Sequence, residues 1–256
     1  MPPASSRITP RCVLLAALSL LIGGCGGAQP EPHASGPAAS APDGPVRGAR
    51  PKGSGESSEP KVTAAVGGLP PEGVAETFQR AQDKLERCFL RGLGRVDMIG
   101  GAVKFWVKVD LKGKFMHAHL EQSDLGDRTT EQCLLDQLMA QRWPTPVGGK
   151  VGIATFSMSF EAASDVVVPE RWPAEKASEV LRALAEPIDE CKSGLPGDFT
   201  ATVYVKRNDA TGVTITASAT PPDEAGEMAV DCLVGVLQKA TWPAPVDKPA
   251  KIVFKM

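Results

Sequence analysis

The chain has 256 residues, of which 42% are apolar and 23% charged, with a formal net charge of −2. That apolar content supports a packed core. No basic patch with interleaved aromatics occurs, which argues against nucleic-acid binding.

The N-terminus reads as an export signal. Arg7 and Arg11 precede the apolar run Val13–Ile22, too short to span a bilayer but right for a signal-peptide core. The run ends in I-G-G-C at Cys25, which resembles a bacterial lipobox. Residues 1–24 are thus expected to be a lipoprotein signal peptide and Cys25 the lipidated residue. The plainer alternative is an ordinary signal peptide with an incidental cysteine. Acyl chains on Cys25 would supply the membrane affinity that the chain itself lacks. Gly26 follows in place of Asp, which by resemblance to enterobacterial sorting rules favours the outer membrane, on its periplasmic face.

Residues 25–70 are rich in Pro, Gly, Ala and Ser, and too poor in large apolar groups to offset the entropy of ordering. They are expected to be a disordered tether. As a coil it spans roughly 40 Å, and in extended polyproline form about 140 Å.

A first folded unit is expected over 71–161. Val74, Phe78, Ala81, Leu85 and Cys88 recur at helical spacing behind Pro71, a residue suited to a helix start. GAVKFWVKVD follows, with Val103, Phe105, Val107 and Val109 alternating with other residues. The turn LKGK leads into FMHAHLEQ, completing a β-hairpin. A second helix over 129–142 ends at Trp143-Pro144-Thr145-Pro146, because proline cannot continue it. VGIATFSMSF is the closing strand.

After a joint at 162–172, the order returns over 173–256. Ala177, Leu181, Leu184, Ile188 and Cys191 mark a helix, which Pro187 should kink or shorten. FTATVYVKR, the turn NDATG and VTITASA form a hairpin. A helix over 224–241 stops at Trp242-Pro243-Ala244-Pro245, and AKIVFKM closes. Cys133 to Trp143 and Cys232 to Trp242 are both ten residues apart. The expected class is therefore α+β, as two tandem α-β-β-α-β domains rather than a solenoid. Each is a small three-stranded antiparallel sheet with two helices on one face.

Cys12 leaves with the leader and Cys25 takes lipid, so two cysteines remain per copy. An even count in an exported chain argues for disulfides. Three pairings exist; the repeat selects Cys88–Cys133 and Cys191–Cys232, since each copy must solve its own packing. The alternative is four buried thiols. Zinc is disfavoured because no C-x-x-C spacing occurs.

The late helical cysteine (Cys88, Cys191), the hairpin, the second cysteine, W-P-x-P and the closing strand appear in the same order twice. This set is similar to the TonB C-terminal domain, and closer to the AgmX/PglI C-terminal family of myxobacterial proteins. The resemblance covers about residues 72–160 and 175–256. It implies a periplasmic protein-interaction module, not an enzyme, with peptide segments added as strands at the sheet edge. A TonB protein has an N-terminal transmembrane helix; here a lipobox stands instead, which leaves an anchored adaptor rather than an energy transducer.

Trp106 and Tyr204 lie on the outward face of corresponding strands and are candidates for partner binding. The alternatives are that they pack the two domains together or cover lysine stems. The closing strands Val151–Phe160 and Lys251–Lys255, with Val253 at the centre of the second, are candidate free edges. His117 and His119 point the same way from one strand and are weak metal candidates, with Glu121 in phase. Two solvated histidines are the plainer alternative. Trp143 and Trp242 are expected to plug the core. His33 lies in the tether, and G-x-S-x-G, a phosphate loop and H-E-x-x-H do not occur. No cofactor and no small-molecule substrate is expected. The leading expectation is a non-catalytic envelope lipoprotein that binds other periplasmic or outer-membrane proteins. The alternatives are a structural spacer of an envelope, motility or transport assembly, and a periplasmic metal-binding protein.

Overall fold

A computed structural model describes residues 62–65, 68–162 and 166–256 of the chain. The leader, Cys25 and most of the expected tether lie outside the described residues. The protein is α+β, with two sheets and two disulfides.

The first sheet is four-stranded in the order β1-β4-β2-β3, antiparallel throughout. Its strands are β1 (Val62–Ala65), β2 (Gly101–Val109), β3 (Phe115–Ser123) and β4 (Gly152–Phe160). Helices α1 (Pro71–Leu93) and α2 (Arg128–Met139) carry the other wall of its core. The alternation of β2 places Val103, Phe105, Val107 and Val109 inward, each at most 1% exposed. They meet Phe78, Leu85, Leu134 and Leu138 from the helices in one apolar cluster. Phe78 stacks on Phe156 at 3.8 Å and takes Trp143 edge-on at 5.4 Å. Trp143 therefore fills the core beyond α2 and donates from Nε1 to the Leu138 carbonyl. The helices approach so closely that a Cβ on Gly92 would lie 2.1 Å from the Thr130 hydroxyl.

The second sheet is five-stranded, β5-β9-β6-β7-β8. It comprises β5 (Glu170–Trp172), β6 (Thr200–Asn208), β7 (Thr211–Thr220), β8 (Thr241–Trp242) and β9 (Ala250–Lys255). All neighbours are antiparallel except β5 on β9. Its helices are a 3-10 turn at Ala174–Ala177, α3 (Ser178–Ala183), α4 (Ala185–Lys192) and α5 (Glu227–Gln238). The break at Leu184 falls ahead of Pro187, whose ring would collide with the carbonyl four residues back, at Ala183. Trp242, expected just past a helix end, sits in β8 and is 2% exposed.

Two expectations about the edges need correction. The closing strands are not free along their whole outer edge. Residues 62–65, placed in the tether by composition, pair with Ile153–Phe156 of β4. Residues 170–172, placed in the joint, pair with Ala250–Ile252 of β9. Composition averaged over a long segment hides a short strand whose partner is supplied by the fold. Val253 is 38% exposed and lies just past the end of β5 pairing.

Candidate functional site

Corresponding faces of the two sheets meet different fates. In β6 and its neighbours, the face away from the second sheet's own helices carries Thr202, Tyr204, Thr216, Ser218 and Lys251, each no more than 8% exposed. It is covered by the segment Asp124–Glu131 of the first half. The Tyr204 ring packs on Gly126, whose φ of +71° and lack of a Cβ permit the approach: a Cβ there would stand 2.6 Å from Cε2. The expectation that Tyr204 meets a foreign partner is thereby corrected. At 1% exposure it packs the two halves together, the alternative weighed for it above. Burial raises its phenol above the ordinary tyrosine range, with Asp124 adding to the effect.

Polar contacts fasten the same seam. Asp127 caps α2 by accepting from the Thr130 N–H, and also accepts from Thr216 at 2.8 Å and Arg95 at 2.7 Å. Arg128 reaches Glu227 at 2.9 Å and Asp231 at 2.7 Å on α5. Lys251 donates to the backbone carbonyls of Asp124 and Gly100 and lies 5.2 Å from the Tyr204 ring centre. Burial lowers the Lys251 ammonium below its ordinary value, although Asp124 opposes this. Glu131 is fully buried and accepts from Ser123. Burial pushes its carboxyl up to about 7, while Ser123, Ser218 and Arg128 pull it down and Asp127 adds to the rise.

The matching face of the first sheet is built around Trp106. Register places His119 and Thr155 on either side of it, with His117 and Ile153 beside Lys108 in the next row. Trp106 is half-buried, its ring 4.9 Å from that of His119 and 6.3 Å from that of His117. Lys104 pairs with Glu121 at 2.7 Å, and Lys108 with Glu224 of the second half at 2.8 Å. Next to this row opens a cleft of about 950 Å³, lined by His117, Arg128, Asp223, Glu224, Glu227 and Met228 among others.

His119 is 3% exposed, which corrects the picture of two solvated imidazoles. Its Nδ1, and Nε2 of His117, are buried and find no hydrogen-bond partner among the described residues. Burial lowers the His119 pKa, and the neighbouring His117 adds to this against Glu121, Glu224 and Asp223. A neutral ring under an indole is a packing element rather than a charged one. Glu121, the in-phase candidate for a third ligand, is committed to Lys104. Among the described residues no group of three or more His, Cys, Asp or Glu side chains is placed to hold a metal. Val253 faces the same way as Tyr204 but sits two residues past the buried Lys251, on the exposed end of β9.

Asp127, Glu131 and Lys251 were not singled out by sequence reading. Aligning Cys133 with Cys232 puts Glu131 opposite Val230, a core residue of α5, and a carboxylate at a core position was the available signal. Lys251 and Asp127 carried none, being a lysine early in a strand and an ordinary helix-start aspartate. Comparison with protein-family models, curated proteins and solved structures finds no match to the chain.

Proposed function

We propose that the chain is a non-catalytic, lipid-anchored adaptor of the cell envelope, which binds another envelope protein through the Trp106 face of its first sheet. In this reading the folded part is two copies of one TonB C-terminal-like or AgmX/PglI-like domain, over 71–161 and 173–256. Cys25 carries lipid, and the segment after it spaces the folded part from the periplasmic face of the outer membrane. The carrying observation is the unequal use of the two sheet faces. The Tyr204 face is consumed by packing, whereas the Trp106 face keeps a half-buried indole flanked by lysines. Half-exposed tryptophans ringed by polar groups are the side chains around which protein interfaces concentrate their affinity. Two disulfide-stapled helix pairs suit an oxidising compartment.

Strand addition has less room than the resemblance implies. On the closing strands it is limited to the ends of β4 and β9 beyond β1 and β5, at Ser157–Phe160 and Val253–Lys255. A photo-crosslinking residue at Ser157, on the Trp106 face, should trap an envelope protein in intact cells, and Trp106→Ala should abolish the adduct. Val253→Pro should leave it. An adduct unchanged by Trp106→Ala refutes the face; one lost only with Val253→Pro returns the role to the strand end.

A further inference from the structure

The two disulfides are alike in placement and unlike in surroundings. Cys88–Cys133 ties α1 to α2 and Cys191–Cys232 ties α4 to α5, with sequence separations of 45 and 41. Chain-closure entropy varies only with the logarithm of loop length, so it hardly distinguishes them. Exposure favours the second as the more reactive: Cys232 is exposed and Cys191 half-buried, whereas Cys88 is 1% exposed and Cys133 half-buried.

Charge favours the first. Arg91 directs Nη2 to the Cys133 sulfur at 2.8 Å and to the Cys88 sulfur at 3.4 Å. Lys84 and Arg87 stand on the same flank of α1, exposed and with no carboxylate partner among the described residues. With Leu90, Arg91 and Gln137 they line a groove of about 480 Å³ beside the bridge. At the second bridge no cation meets either sulfur among the described residues. Its sequence neighbours include Glu190 and Asp231, and the nearby Lys192 lies instead over the Phe199 ring at 5.8 Å.

We propose that Cys88–Cys133 is a thiol-exchange site that accepts an anionic thiol, one carrying carboxylates such as a glutathione-type peptide. The groove cations draw in the carboxylates. The incoming thiolate attacks the Cys133 sulfur, the more accessible of the pair. A new sulfur–sulfur bond forms at Cys133, the Cys88–Cys133 bond breaks, and its electron pair leaves on Cys88 as a thiolate. That thiolate forms at a buried position, where desolvation opposes it, and Arg91 supplies the compensating charge. A second equivalent of thiol then attacks the mixed disulfide, releasing the oxidised small-molecule disulfide and the Cys133 thiolate. Two electrons pass from two thiols to one protein disulfide, and α1 is released from its covalent tie to α2. A lower leaving-group pKa speeds exchange, so a cation touching the sulfurs changes rate as well as equilibrium.

The test uses the oxidised full chain in glutathione buffers at neutral pH, quenched by alkylation and mapped by mass spectrometry. Cys88 and Cys133 should become alkylated before Cys191 and Cys232, with the transient glutathione adduct on Cys133. Arg91→Gln should slow opening of the first bridge about tenfold and leave the second unchanged. Arg91 is exposed, so the oxidised variant should keep its fold. The double variant Lys84→Glu, Arg87→Glu leaves the sulfurs' own contact intact. It should slow the reaction with glutathione but not with cysteamine, a cationic thiol. Earlier opening of the second bridge, as exposure alone would have it, overturns the proposal. So do equal rates in wild type and Arg91→Gln.

Discussion

Replacing Glu131 with Gln should stabilise the protein at alkaline pH and hardly alter it at acid pH. Glu131 sits in α2 with no exposure, where Val230 stands in α5. Burial, the largest influence, holds its carboxyl up from 4.5 to about 7. Between those values the native state keeps a proton that the unfolded chain has shed. Stability therefore falls as pH rises across the window, and the loss is complete above it. The displacement from 4.5 to about 7 corresponds to about 3 kcal/mol of native stability. Glutamine imitates the protonated acid in shape and neutrality and escapes this penalty. Urea denaturation of wild type and Glu131→Gln near pH 5 and near pH 8 should give a difference below about 1 kcal/mol at the first and about 3 kcal/mol in favour of the variant at the second. A difference that is the same at both pH values would falsify the claim that Glu131 carries the buried charge.

Two further substitutions probe the seam between the halves. Gly126→Ala places a Cβ 2.6 Å from Tyr204 and 2.7 Å from Thr202 at a φ of +71°, and should cost about 2–4 kcal/mol. Tyr204 is the sole tyrosine, so its alkaline titration, followed by ultraviolet absorbance, should move down toward the ordinary value of 10.0; an unmoved titration would show that the ring stays covered. Asp127→Ala removes the α2 cap and the acceptor for Thr216 and Arg95. It should cost about 3 kcal/mol, or roughly 10 °C in Tm, whereas a surface cap alone would cost about 1 kcal/mol.

Periodicity made the local structure readable. Helical spacing through Val74, Phe78, Ala81, Leu85 and Cys88 specifies which side of α1 faces the core, and those five side chains are buried. Alternation through Val103, Phe105, Val107 and Val109 does the same for β2. Proline after tryptophan bars a helix from running through Trp143 or Trp242, but α2 already ends at Met139 and α5 at Gln238, three residues short of the expected ends. These are constraints that act within a few residues along the chain, so they are written in the chain.

What covers each sheet could be decided only in three dimensions. Trp106 and Tyr204 occupy corresponding positions with the same local pattern, yet one keeps a half-open face and the other lies under Gly126. Alternation assigns a side chain to a face, but the cover arrives from residues about 80 positions away along the chain. The same holds for β1 and β5, short segments that become strands because β4 and β9 offer them an unpaired edge. Arg91 reads locally as one cation among several on α1, and Cys133 must arrive from α2 before it has a sulfur to touch. Local propensity proposes elements, whereas burial and charge contact depend on which distant surfaces exclude water together.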